Sequence, residues 1–186
     1  MNLLVILGGV CDFEQDTCTW TNTQQGDDFD WLRSKGGTTS SLTGPSIDHT
    51  KGTTLGYYMF IEASAPRVAG DKARLLSQVY PPLNSNKCFT FYYHMRGSDV
   101  GSLNVYLLLN QSSDTFSTEA LMWTLSGSWG TDWSLGQFNI TTKYTQNPFE
   151  VGEFVGLMFC LLGISYAYFF LFHLINKSLE ILICCI

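Results

Sequence analysis

Apolar and polar side chains alternate with a period of two along several short stretches of this chain, and clusters of Gly, Ser, Asn and Asp separate those stretches. In "CFTFYYHMRG" (88–97), Phe89, Phe91, Tyr93 and Met95 fall on one face while Thr90, Tyr92 and His94 fall on the other. Period two marks a strand whose sheet covers a core on one side. "SLNVYLLLN" (102–110) repeats the pattern, with Leu103, Val105, Leu107 and Leu109 against Asn104 and Tyr106. Gly97 and Gly101 supply a turn between the two, so together they predict a hairpin. Further strand-length runs are "GYYMFIEAS" (56–64), "ARLLSQVY" (73–80), "LMWTL" (121–125) and "WSLGQFNIT" (133–141). Residues 24–55 hold six turn-formers, from Gly26 to Gly52, with few apolar anchors beyond Phe29, Trp31 and Leu32, and predict mostly loop. "PPLNSN" (81–86) reads as a connection or an edge, because proline cannot donate to a ladder. Several antiparallel strands without intervening helical periodicity predict an all-β, two-sheet sandwich.

The pattern changes after Glu153. Residues 154–175 form a run of 22 without Asp, Glu, Lys or Arg. As a helix the run would be about 33 Å long at ~1.5 Å per residue, enough to cross a hydrocarbon core of ~30 Å, so it predicts a transmembrane helix that contacts the lipid bilayer. Glu150 and Glu153 precede it and Lys177 comes after it, which by the positive-inside rule leaves the N-terminal part outside the cytoplasm and residues 176–186 as a short cytoplasmic tail. Cys184 and Cys185 in that tail are candidates for palmitoylation, but no C-a-a-X box is present, and translated non-coding sequence is the duller reading. At the other end, "MNLLVILGGV" (1–10) reads as an apolar leader or a clipped N-terminus, lacking a basic n-region.

Charge narrows the function classes. Ten Lys and Arg stand against sixteen Asp and Glu, for a net charge of -6, and only Lys177 and Glu180 of these lie beyond residue 153. Such an acidic domain repels phosphate backbones and is a poor candidate for nucleic-acid binding. A bridge between Cys11 and Cys18 would close a loop of about eight residues, worth roughly 2 to 3 kcal/mol, and would imply export. The alternatives, a zinc pair or a redox pair, lack the usual ligand spacing and the C-x-x-C motif. No nucleophile elbow, H-E-x-x-H helix or glycine-rich phosphate loop accompanies Tyr92, His94 and Asp99, which could otherwise be read as a catalytic set. His49 has no identifiable partner in the sequence. Asn110-Gln-Ser112 and Asn139-Ile-Thr141 are N-glycosylation acceptors at predicted strand ends, whereas Asn176-Lys-Ser178 would lie in the cytoplasm.

In order along the chain, "CDFEQDTCTW" (11–20), "DDFDW" (27–31), "GYYM" (56–59), "ARLLS" (73–77) and "CFTFYYHMRG" with "GSLNV" after it resemble the successive signature blocks of MAM domains. These are extracellular modules of meprins, neuropilins, receptor-type tyrosine phosphatases and multidomain proteins carrying LDL-receptor class A repeats. The resemblance covers residues 11–151 and implies a jelly-roll sandwich without enzymatic activity, serving adhesion, dimerisation and recognition of other extracellular proteins. It also implies that Cys11 and Cys18 form the first disulfide of the family and that Cys88 is its third cysteine. The fourth cysteine and the final strand are expected after "PFEV", where this chain instead becomes apolar. The domain is therefore expected to be incomplete at its C-terminus, with Cys88 lacking a partner and the truncated sandwich less stable than an intact one.

Gly152, Glu153 and Phe154 can be encoded by GGT-GAG-TTT, which contains GTGAGT, a sequence that opens introns, so the tail is read either as translated intron on a non-functional truncated product or as a genuine anchor. Six acidic residues, Asp12, Glu14, Asp16, Asp27, Asp28 and Asp30, occur without an intervening base. Some members of the family hold a calcium or sodium ion in this region, so the resemblance makes Glu14, Asp28 and Asp30 candidate calcium ligands, against the plainer reading of a solvated acidic face. A carbohydrate-binding jelly roll is the competing class, because the five tryptophans could grip a sugar as well as fill a core.

Overall fold

The computed structural model describes residues 11–38, 40–63, 66–97, 100–110, 116–143, 149–152 and 178–185; for residues 110, 116–118, 149–150, 152 and 178–185 it describes the backbone alone. The strands are β1 (Thr21–Asn22), β2 (Leu32–Lys35), β3 (Tyr57–Glu62), β4 (Leu75–Leu76), β5 (Lys87–Arg96), β6 (Ser102–Asn110), β7 (Phe116–Ser126), β8 (Ser134–Ile140), β9 (Phe149–Gly152) and β10 (Ser178–Cys185). They form two five-stranded sheets, the first ordered β1-β4-β9-β6-β7 and the second β2-β3-β10-β5-β8. Every paired strand runs antiparallel to its neighbour. The expected all-β sandwich is present.

The alternation in 88–97 is the reason β5 lines the core. Phe89, Phe91, Tyr93 and Met95 are all buried, and across the interlayer Leu103, Val105 and Leu107 of β6 are completely so. Burial of such side chains stabilises by about 1.5–3 kcal/mol each, which far exceeds what any single surface contact supplies. Trp123 of β7 joins the sheets, meeting Phe91 edge-on at 5.0 Å and Tyr93 at 5.2 Å. Gly136 of β8 stands opposite Phe91, and a Cβ there would come 2.3 Å from the ring, so the small residue leaves the space that the phenyl group fills.

Several expectations are corrected. The run at 121–125 is part of a longer strand, and a register shift between Val105 and Tyr106 leaves Met122 without an opposite residue. Such a bulge reverses the inward and outward sense of the side chains on its far side, which places Leu121 opposite Tyr106 and leaves it 52% exposed. Strand β2 arises within residues read as loop, because Leu32–Lys35 pairs with Lys35↔Tyr57 through Leu32↔Phe60. Trp31 beside it is core, 1% exposed. Its indole donates to the Ala73 carbonyl at 3.1 Å, and its backbone is clamped on both sides by the Asn22 amide at 2.8 and 2.9 Å. Of 73–80 only Leu75–Leu76 is strand, with an isolated bridge at Ala73.

The largest correction concerns the tail. The slot between β3 and β5 is filled: Ser178–Ile181 pair with β3 and Ser178–Cys185 pair with β5. The slot in the second sheet is thus occupied, where the sequence predicts a sandwich incomplete at its C-terminus. A strand that shares backbone hydrogen bonds with the domain's own sheet lies on the domain's side of any membrane, so the pairing of Ser178–Cys185 does not support a single crossing with a cytoplasmic tail. The composition of 154–175 suggests the end of the domain, and pairing from beyond it cannot be read from local pattern. Residues 1–10 and 154–175 lie outside the described residues, as does Asp99. Among the described residues no helix is long and apolar enough to cross a membrane.

The outer face of the second sheet is covered by the segment 36–56. The Trp133 indole donates to the Ile47 carbonyl at 2.9 Å, the His49 ring stacks on Tyr92 at 3.5 Å, and the Tyr58 hydroxyl donates to the Gly36 carbonyl. Asp48 is 1% exposed and takes the Lys51 and Thr53 amides at 2.6 and 3.0 Å. Gly56 packs so closely on that carboxylate that a Cβ would meet its Cγ at 2.0 Å. Near this cover lies His94, fully buried, edge-on to Trp133 at 5.6 Å, with Nε2–H donating to the Thr131 carbonyl at 3.1 Å and Nδ1 without a partner.

Burial is the main cause that lowers the His94 pKa below 6.5, aided by Arg96 and opposed by the Thr131 carbonyl and Asp132. Above pH 6.5 the imidazole is neutral whether the chain is folded or not, and contributes nothing to pH dependence. As pH falls below 6.5 the unfolded chain takes up a proton that the folded one refuses until its lower pKa is reached, so stability declines in that window by at most about 1.4 kcal/mol per pH unit. Thermal midpoints between pH 7.5 and 5.5 should therefore fall, with a shallower slope in His94→Gln. Equal slopes in the two proteins would contradict this.

Candidate interaction surface

The six acidic residues of the N-terminal part divide into two groups with different surroundings. Asp12, Glu14 and Asp16 belong to the loop closed by the Cys11–Cys18 disulfide. Asp12 accepts the Glu14 amide at 3.0 Å, and Asp16 accepts the Cys18 amide at 2.7 Å, so both carboxylates cap their own turns. The loop is tight enough to hold Phe13 and Cys18 at φ of 58° and 54°, in the left-handed region that bulky residues avoid. Burial of Phe13, 0% exposed, offsets that cost, which is about 1–2 kcal/mol for a residue with a Cβ.

Glu14 reaches away from the loop. One oxygen accepts the Tyr57 amide at 3.1 Å, and the other pairs with the Lys51 ammonium. The hydrogen bond to Glu14 is the chief cause that raises the Lys51 pKa above its ordinary value. Arg33 closes the arrangement from β2, donating to the Phe13 and Glu14 carbonyls at 2.6 and 2.9 Å while its guanidinium covers the Tyr57 ring at 3.5 Å.

Asp27, Asp28 and Asp30 lie elsewhere, along a groove of about 630 Å³ between the β1–β2 and β3–β4 connections, with Glu62 of β3 as a fourth carboxylate. Leu32, 52% exposed, supplies apolar wall, and Arg67 lies over the Phe29 ring at 4.3 Å while donating to the Asp28 carbonyl. Asp28 also accepts the Lys72 amide at 2.8 Å, and Asp27 accepts the Arg74 amide at 3.3 Å. Glu14, Asp28 and Asp30 are therefore not gathered about one point. Among the described residues no group of three His, Cys, Asp or Glu side chains is placed to hold a metal ion. Glu14 is paired with Lys51 rather than with the groove carboxylates.

The remaining expected site residues are on the second sheet or outside the described side chains. Cys88 opens β5 as a free, exposed thiol, and directly across the ladder stands Asn139 of β8, also exposed. Asn110 ends β6, where its backbone pairs with Phe116. Tyr92 and His94 share the outer face of β5 and are engaged by His49 and Trp133, so these two members of the set that could be read as catalytic belong to a packing cluster. Burial lowers the His49 pKa, opposed by Asp48 beside it. Sequence pattern alone misses the pinning role of Glu14 and Asp48. Asp48 precedes a lysine and a glycine in a turn-rich stretch, a signal for a side-chain-capped turn.

Comparison with known proteins agrees with the signature blocks. The profile of the MAM domain, meprin/A5/mu, matches residues 11–157. Human MAM domain-containing protein 2 is 44% identical over 125 residues, which is 67% of this chain and 17% of that protein. The mouse MAM domain-containing glycosylphosphatidylinositol anchor protein 2 is 40% identical over 145 residues, 72% of this chain and 14% of that protein. The chain thus spans about a sixth of the length of these relatives or less. Among solved structures, the K1 cleaved adhesin domain of Lys-gingipain from Porphyromonas gingivalis W83 superposes with a TM-score of 0.55 at 8% identity, covering 94% of each chain. The CBM22-1–CBM22-2 tandem domain of Paenibacillus barcinonensis Xyn10C gives 0.51 at 14% identity, covering all of this chain and 50% of that one. Both likenesses are of fold alone. A match over residues 11–157, relatives near 40% identity and a two-sheet β-sandwich in which the signature blocks lie together place this chain in the MAM domain family.

Proposed function

We propose that this chain is an extracellular, non-enzymatic adhesion module that binds other extracellular proteins or a second copy of itself. The observation that carries this reading is membership of the MAM family across residues 11–157, on a sandwich whose polar side chains are spent on structure. His94, His49, Glu14 and Asp48 each serve a packing or capping contact, and none is aimed at an open cleft as a general base would be. Attachment to a membrane surface is part of the proposal, supported by relatives whose names describe glycosylphosphatidylinositol anchoring. The net charge of -6 also favours protein partners over nucleic acid.

The chain displayed as a dimeric fusion should bind cells or coated beads in a manner abolished by protease treatment of the target and indifferent to glycosidases. A specific signal on a glycan array, with binding that survives protease, would move the chain to the carbohydrate-binding class.

N-glycosylation at Asn139 and at Asn110 belongs to the same proposal, supported for Asn139 by its exposure on the edge strand β8. A sugar there would also obstruct pairing of that edge with another strand. Expressed through a secretory pathway, the chain should lose one glycosidase-sensitive step of mobility on Asn139→Gln. An unchanged band pattern would remove Asn139 as an acceptor.

A further inference from the structure

The disulfide loop and the segment covering the second sheet are physically connected, although 29 residues separate Cys18 from Ile47 in sequence. The connection begins at the bridge. Cys11 is 4% exposed and Cys18 is exposed, so the bond joins a buried residue to an exposed one. Between them, Phe13 is held in the core at φ 58°, and that conformation places Glu14 next in line. Glu14 then holds the Lys51 ammonium of the covering segment and, at the start of β3 where that segment ends, the Tyr57 amide at 3.1 Å. Lys51 also belongs to the Asp48 turn, whose carboxylate takes the Lys51 and Thr53 amides. On the far side of that turn, Ile47 and His49 contact Trp133 and Tyr92 on the outer face of the sheet. The hold is therefore continuous from an exposed cysteine to the aromatic surface that the segment covers.

We propose that the Cys11–Cys18 disulfide is a redox latch, and that its reduction frees Glu14 and releases residues 47–56 from the outer face of the second sheet. The reductant is an extracellular dithiol oxidoreductase or a small dithiol. Its thiolate attacks Sγ of the exposed Cys18, a mixed disulfide forms there, and Cys11 departs as a thiolate that takes up a proton. The second thiol of the reductant then attacks the mixed disulfide, Cys18 leaves as thiolate, and the reductant ends as a disulfide, two electrons having passed to the chain. With the loop open, Phe13 keeps its positive φ only through its burial and the Arg33 hydrogen bonds to its own carbonyl and that of Glu14, so Glu14 loses one of the restraints that fix it. Tyr92 and Trp133, which His49 and Ile47 now cover, become available to a partner.

The full chain, treated with dithiothreitol at neutral pH and compared with the untreated protein, tests this by amide hydrogen exchange. Reduction should accelerate exchange at Lys51, Thr53 and Tyr57 by about tenfold or more, the consequence of losing the part-buried, charge-assisted hydrogen bond from the Tyr57 amide to Glu14 and the Lys51 pair beside it, while Val105 and Leu107 of β6 keep their protection. Glu14→Gln with the disulfide intact should accelerate the same three amides and leave β6 alone, which separates the latch from any general loss of stability on reduction. Unchanged protection at Tyr57 in the reduced protein, equal loss in β6 and the covering segment, or full protection in Glu14→Gln would each overturn the proposal.

Discussion

The structure depends on the inward face of β5 meeting that of β6 across a single apolar layer. Phe89, Phe91, Tyr93 and Met95 on one side and Leu103, Val105 and Leu107 on the other are buried together, and the aromatic rings of Trp20, Trp123 and Phe138 extend the contact to both ends. An antiparallel sheet can leave one face to solvent only if the other is covered. Three local features keep that layer closed: the glycine beneath Phe91, the bulge at Met122 and the strand in the slot between β3 and β5.

That dependence explains which parts of the molecule are legible in the sequence. The strands at 88–97 and 102–110 are legible because their two-residue period is local, but the hairpin expected of them is not formed: β5 and β6 belong to different sheets and face each other across the core, a choice of partner that no local pattern states. Trp31 is not legible as core, because its neighbours are Ala73, 42 positions away, and Asn22, whose amide imitates a strand partner. Met122 gives no sign of a bulge, which is a relation between two strands rather than a property of one. The tail misleads for the same reason. "SLEILICC" comes soon after a long apolar run and looks like its continuation, whereas its pairing with β5 is set by a vacant position that only the assembled sheet defines.

The acidic residues show a related limit on reading chemistry. Their clustering in sequence suggests several oxygens available to one cation, yet the fold sends Glu14 to Lys51 and Tyr57 and sends Asp27, Asp28 and Asp30 to a groove on another side. A carboxylate near an amide or an ammonium finds its partner within the protein, and the desolvation it suffers there is offset by charge-assisted hydrogen bonds.

Closure of the second sheet by β10 is the central structural claim, and it can be tested at one residue. Leu182 stands opposite Tyr92 in the register of β10 with β5, and a proline there removes a backbone donor and bends the strand. Amide exchange measured across β5 in Leu182→Pro should show Tyr92 to His94 losing protection, with a lower thermal midpoint for the whole domain. Protection in β5 and a midpoint both equal to those of the unaltered chain would mean that residues 178–185 do not occupy the slot.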